Sequence, residues 1–324
     1  MNKPLVELNK KRDFSDVINA TFAFIIQEIK RYGKTILYYG GIPILLAGIA
    51  GAVFSGAELS NVFSQMSSGE ISAHSLGASY QFKVLAVNLL ITVVYLCLSG
   101  LTAAYMVLYS DPSREGFGIA DVWLQFKAKF VKQLSFYLLV FLVVAAIAMV
   151  FSFIFIGLGI GAGYGGSRLL VALMVIAVIL LLLFFIYLSV PLSMANMVIY
   201  AEDVDLGKVF KRCLDLIKGS WWQSFAIILV IYLIYSIISS LFSIPVMVSS
   251  MVKGFVAASG GGFDAGNLSF TMVLTSLIST LGSLLIYPIL IVGVGIQYYN
   301  LKEKTDNVGL IERIAQMSDD NGAN

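Results

Sequence analysis

"KVFKRCLDLIKGSWW", residues 208–222, sets Lys208, Lys211, Arg212 and Lys218 among Val209, Phe210, Leu214, Leu216 and Ile217, and ends on adjacent tryptophans. The runs on either side of it are too apolar for water. A basic helix with an aromatic end, placed between two membrane-length segments, is the pattern of a chain turning along a bilayer surface. Working outward from it gives the rest of the architecture.

Of the 324 residues, 59% are hydrophobic and 12% are charged, against about 25% charged in an ordinary soluble domain. Apolar runs at about 35–54, 82–109, 133–156, 169–198, 225–251 and 271–299 each reach the roughly 20 residues that cross a bilayer. The expected fold class is therefore an all-α polytopic membrane protein with six transmembrane helices. The first apolar run begins near Thr35, behind a charged segment, so no cleavable signal peptide is expected. Cys97 falls in mid-span and Cys213 on the basic helix, so no disulfide is expected.

Eighteen of the 21 Lys and Arg fall in the N-terminal segment, the 110–132 and 199–224 connections and the C-terminal tail, leaving Lys83, Arg168 and Lys253 for the other side. Cytoplasmic loops carry the excess of such cations. Both termini are thus expected in the cytoplasm.

The opening stretch recurs. Asp205-Leu206-Gly207-Lys208-Val209 matches Asp13-Phe14-Ser15-Asp16-Val17, with a looser copy from Phe117 to Val122 and a fourth start at Asp306–Ile311. Asp or Ser before an apolar run is a helix N-cap signal. Phe14, Ile18, Phe22, Ile25, Ile29 and Tyr32 follow helical spacing, as do Ile119, Trp123, Phe126, Phe130 and Leu134, and Leu206, Phe210, Leu214, Ile217 and Trp221. Three repeats result, at about 13–109, 116–200 and 205–299, each an amphipathic cytoplasmic interfacial helix followed by two spans. Together they form one membrane domain, 1–300, with a cytoplasmic tail at 301–324. The three interfacial helices are expected to form a collar.

Lys30, Lys34, Lys129, Lys132, Lys211 and Lys218 lie mainly off the apolar faces. With Trp123, Trp221 and Trp222 they are candidate contacts for anionic lipid headgroups or a membrane-protein partner. Inside the spans, small polar residues recur on single faces, and packing is their commonest role. The alternative is an intramembrane polar groove, for which Asn88, Ser193, Asn196, Ser240 and Thr280 are the candidates. Pro43, Pro191, Pro245 and Pro288 fall inside spans, where each removes a backbone donor.

No Asp, Glu, Lys, Arg or His occupies the middle of a span, which argues against ion-coupled transport and intramembrane acid–base catalysis. Gly161–Gly166 matches G-x-G-x-x-G but joins two spans, with no strand and no acidic residue at the required distance. His74 is the single histidine, and a catalytic zinc site needs three protein ligands. Neither an enzyme nor a cofactor, metal or nucleic-acid partner is expected.

"PLSMANMVIYAEDVDLGKVFKRCLDLIKGSWWQSF" (191–225) and "YPILIVGVGIQYYNLKEK" (287–304) resemble the six-span bacterial membrane domain fused to some glycerophosphodiester phosphodiesterases. They are also similar to its stand-alone Bacteroidota relatives, some of which carry a carotene-oxygenase label. The resemblance implies the six-span fold. In the fusions the phosphodiesterase activity belongs to a separate soluble domain, so no catalytic residue carries over. Carotene oxygenases hold iron with several histidines, which this chain does not have.

The expected function is a non-catalytic scaffold or accessory subunit whose basic helices contact anionic lipid or a membrane partner. The alternative is lipid or lipophile binding or transport through the proline-kinked bundle.

Overall fold

A computed structural model describes residues 6–68, 78–111, 116–163, 168–258 and 265–306. His74 and the fourth repeat start beyond Asp306 lie outside the described residues. Every regular element among the described residues is a helix: α1 Phe14–Ser68, α2 Ala78–Ser110, α3 Ile119–Gly163, α4 Arg168–Ala201, α5 Leu206–Ile217, α6 Trp221–Ala258 and α7 Ala265–Asp306. Six of these, all but α5, are long and apolar enough to cross a membrane. This is the architecture of a multi-pass membrane protein.

Of the three interfacial helices expected, only α5 is a separate element. The other two run without a break into the following spans, giving helices of 55 and 45 residues. At about 1.5 Å per residue, both are far longer than a bilayer core of roughly 30 Å. The physical reason lies at the junctions. Gly219 takes a left-handed φ of +80°, which a residue without Cβ adopts at little cost. Lys218 N–H then bonds back to the Leu214 carbonyl at 3.1 Å, and Ser220 N–H to that of Ile217 at 2.9 Å. The chain turns and restarts as α6. In α1, Gly33 stays helical, and the 130–135 junction of α3 has neither Gly nor Pro. Nor does Asp205 act as the expected side-chain cap; it makes no capping bond and pairs instead with Lys208 at 3.3 Å.

The buried faces agree with the expected ones only in part: Tyr32 and Ile217 are buried, whereas other members of the expected sets are exposed. In α1 the buried residues are Val17, Thr21, Phe24 and Tyr32, while Phe14 and Ile29 are exposed; in α5 they are Val209, Cys213, Leu216 and Ile217, while Phe210 is exposed. Within α3, Phe126 is buried as expected of that face, Val122 outside the expected set is buried too, and Leu134 is exposed.

The core lies at the basic end, where α2, α4 and α7 finish. Residues 98–106, 194–200 and 292–301 are each buried without interruption. Helix α7 is central, packing chiefly on α1 and α6 and also meeting α2, α4 and α5. Close approach depends on glycine at specific points: a Cβ on Gly295 would lie 2.4 Å from Met106 Sδ, and one on Gly100 2.5 Å from both Gln133 Oε1 and Tyr200 Oη.

Polar bonds then fix this end. Gln133 donates to the Leu96 carbonyl at 2.9 Å and to Ser99 Oγ at 3.1 Å, and accepts from Tyr200 at 2.8 Å. Tyr105 donates to Glu28 at 2.6 Å. Arg212 pairs with Glu202 at 2.7 Å and also with Asp306, joining the ends of α4 and α7 through α5. Burial alone would lower the pKa of Arg212, but the two carboxylates outweigh it and raise it above the ordinary value. The N-terminal hook closes the end: Arg12 N–H bonds Asn300 Oδ1 at 2.8 Å, and its guanidinium is wrapped by the carbonyls of Glu7, Leu8 and Lys10.

Candidate functional site

A cavity of about 440 Å³ opens beside this core, lined by α2, α3, α4, α6 and α7. Its buried side includes Val190, Asn196 and Met197 of α4. Its exposed rim is formed by Ser189 of α4 with Leu229 and Tyr232 of α6. The opening therefore faces sideways between α4 and α6. Asn196 stands five residues from the end of α4, about 8 Å along the helix axis, so the cavity sits in the part of the span nearest the basic end.

Pro191 shapes this wall. It has no N–H for the carbonyl of Tyr187, four residues earlier. The indole Nε1 of Trp221 donates to that carbonyl at 3.2 Å instead. The Trp221 ring also stacks on Tyr187 at 5.5 Å and on Phe225 at 5.3 Å. The first turn of α6 is thereby pinned to the proline-bearing part of α4, and the cavity lies alongside.

The polar lining follows a rule. Ser189, Ser193 and Ser99 donate to carbonyls of their own helices, those of Ile186, Val190 and Leu96, at 2.8, 2.7 and 2.9 Å. Asn196 differs: it is 4% exposed, and neither its Nδ2 nor its Oδ1 meets a hydrogen-bond partner among the described residues. Unpaired buried polar atoms are rare and each calls for a cause. No lining residue carries a charge.

Of the five groove candidates, the structure brings together Ser193 and Asn196. Asn88 is exposed and bonds its own helix at the Val84 carbonyl, 2.8 Å away. Ser240 is likewise exposed and bonds the Ile237 carbonyl. Thr280 bonds the Ser276 carbonyl and packs near Gly51 of α1. The serines that do cross between helices are Ser239 with Ser283 and Ser243 with Ser279, at 2.8 and 2.9 Å, and they serve α6–α7 packing.

The basic and aromatic candidates divide as well. Lys129 pairs with Asp203 at 3.1 Å, and Lys132 donates to the Val204 carbonyl, so both hold the α4–α5 turn. Trp123 stacks on Tyr39 at 4.7 Å between α3 and α1. Lys30, Lys34, Lys211, Lys218 and Trp222 remain exposed at the basic end. Sequence reasoning placed Tyr137, Tyr232 and Tyr287 in no site, although all three line the cavity; tyrosine is common at span ends and carries no signal of its own.

Comparison with known proteins finds no matching family model, no similar curated protein and no similar solved structure.

Proposed function

We propose that this chain is a non-enzymatic multi-pass protein of the bacterial inner membrane, with both termini cytoplasmic, that binds a lipid or lipophilic small molecule in the cavity between α4 and α6. The observation that carries the reading is the cavity itself. Its size falls within the range of small-molecule sites, roughly 300–1,000 Å³, and its rim opens sideways. An apolar ligand arriving from lipid could enter sideways without crossing water. The three-repeat reading fits beside this, because the second span of each unit ends in a segment buried all round: 98–106, 194–200 and 292–301.

The test is native mass spectrometry of the full chain released from nanodiscs. The parent should retain a lipophile that Ser193→Trp, which fills the cavity, loses. Identical bound-lipid profiles for the two would remove the reading.

A second reading, a scaffold touching anionic lipid or a membrane partner, is favoured by the exposed Trp222 beside Lys218. It no longer includes Lys129, Lys132, Trp123 or Trp221, whose side chains are engaged within the protein. Vesicle or partner binding that survives Lys211→Gln/Lys218→Gln/Trp222→Ala would remove it.

A further inference from the structure

Resting on the cavity reading, we infer that the ligand is an uncharged lipophile bearing a free hydroxyl group, held by Asn196 with Ser189 and Ser193. The argument begins with what the lining lacks. No charged side chain borders the cavity. A phosphate or carboxylate head would enter a low-dielectric space with no counter-charge, and such burial is strongly unfavourable. The head is therefore neutral.

The hydrogen-bond inventory then narrows its chemistry. A serine hydroxyl has one proton and two acceptor sites. Ser189 and Ser193 have each committed that proton to a carbonyl of α4. Toward the cavity they offer lone pairs only, so they can accept from a ligand but not donate to it. Asn196 has two amide protons and a carbonyl oxygen, and neither end is paired. A ligand with ester or ketone oxygens alone would satisfy Nδ2 of Asn196 and bring no donor for its Oδ1. A hydrocarbon would satisfy neither. A hydroxyl group supplies a donor and an acceptor on one atom and answers both. Alkane-rich walls from Leu229, Ile228 and Val294 suit the chain attached to it.

The experiment uses the full chain in phosphatidylcholine nanodiscs and three probes of one chain length: 1-monooleoylglycerol, methyl oleate and oleate at pH 8. Binding is read by native mass spectrometry and by the shift in thermal unfolding temperature. A site that depends on a ligand hydroxyl should prefer 1-monooleoylglycerol to methyl oleate by about tenfold or more, because a lost polar pairing leaves protein groups unsatisfied. Oleate should bind more weakly still. Asn196→Leu should reduce the preference to within about threefold. The parent's own selectivity is a sufficient test if that variant does not fold.

Equal affinity of the parent for 1-monooleoylglycerol and methyl oleate, or tightest binding of oleate, would overturn the inference. So would a preference unchanged in folded Asn196→Leu. If methyl oleate binds as well as 1-monooleoylglycerol and Ser193→Trp displaces both, the cavity reading stands and the hydroxyl assignment falls. If no probe binds the parent better than Ser193→Trp, both fall.

Discussion

The two halves of α4 live in different surroundings. Residues 194–200 are buried without interruption, whereas between Val171 and Tyr187 the large apolar side chains are mostly exposed. Helix α3 mirrors this: Val122, Phe126 and Gln133 are buried near its start, while Leu138, Phe141, Met149 and Phe153 are exposed further along. The far portions of α3 and α4 thus form an arm with little protein around it, and the basic end forms the core. In water such an arm would be an aggregation site. In lipid, apolar surface gains nothing by leaving hydrocarbon, so association must come from close packing and polar contacts. Those contacts are concentrated at the basic end, and stability should be too.

Substitutions along this gradient can break or sharpen the contrast. The largest effect is expected for Arg212→Ala, which leaves Glu202 and Asp306 without their shared cation and unties α5 from α4 and α7. A loss of about 2–3 kcal/mol is expected from removing one partner of a partly exposed ion-pair network, below the roughly 3–5 kcal/mol of a fully buried pair, read by equilibrium unfolding in mixed micelles. Gly100→Val comes next. Its side chain would collide with Gln133 and Tyr200 and cost about 1–3 kcal/mol by overpacking, with the same readout. Trp221→Phe keeps the ring stack but leaves the Tyr187 carbonyl without its donor, and should cost about 1 kcal/mol. Phe141→Ala, on the arm, should fall within about 0.5 kcal/mol of the parent. A cost there equal to that of Arg212→Ala would erase the distinction between the two regions.

The smallest effect concerns pH. Asp203 is held below the usual carboxylate range by its hydrogen bond from Lys129, with further attraction to Lys129 and Lys132. A depressed folded pKa contributes stability above the unfolded value, near 3.9, and loses it as the pH falls through the folded one. Asp203 is fully exposed, so Asp203→Asn should leave unfolding at pH 7 almost unchanged. Any difference from the parent should vanish in strong acid. Cys213, by contrast, is buried, and its thiol is pushed up to about 12, mainly by burial. It should resist alkylation at neutral pH until the protein unfolds, as mass-shift labelling would read.

The six spans were legible because the length of an apolar run is a local property. Helix continuity was not. Gly33 and Gly219 look alike in a sequence, and only the second adopts the left-handed turn that ends a helix. Apolar spacing alone leaves a face uncertain by about one position, as at Phe210, exposed, against Val209, buried. Asn88 and Asn196 were equivalent candidates on paper. The fold separates them, since Asn88 satisfies itself on an exposed face while Asn196 is closed in among five helices. No periodicity distinguishes a polar residue that bonds its own helix from one left unpaired.

The bond between Arg12 and Asn300 joins positions 288 residues apart. During synthesis the hook emerges long before the helix that receives it. Arg12 must wait, unattached, until α7 has been inserted, which makes sealing of the bundle a final step of biogenesis and leaves a nascent chain lacking α7 open at one end.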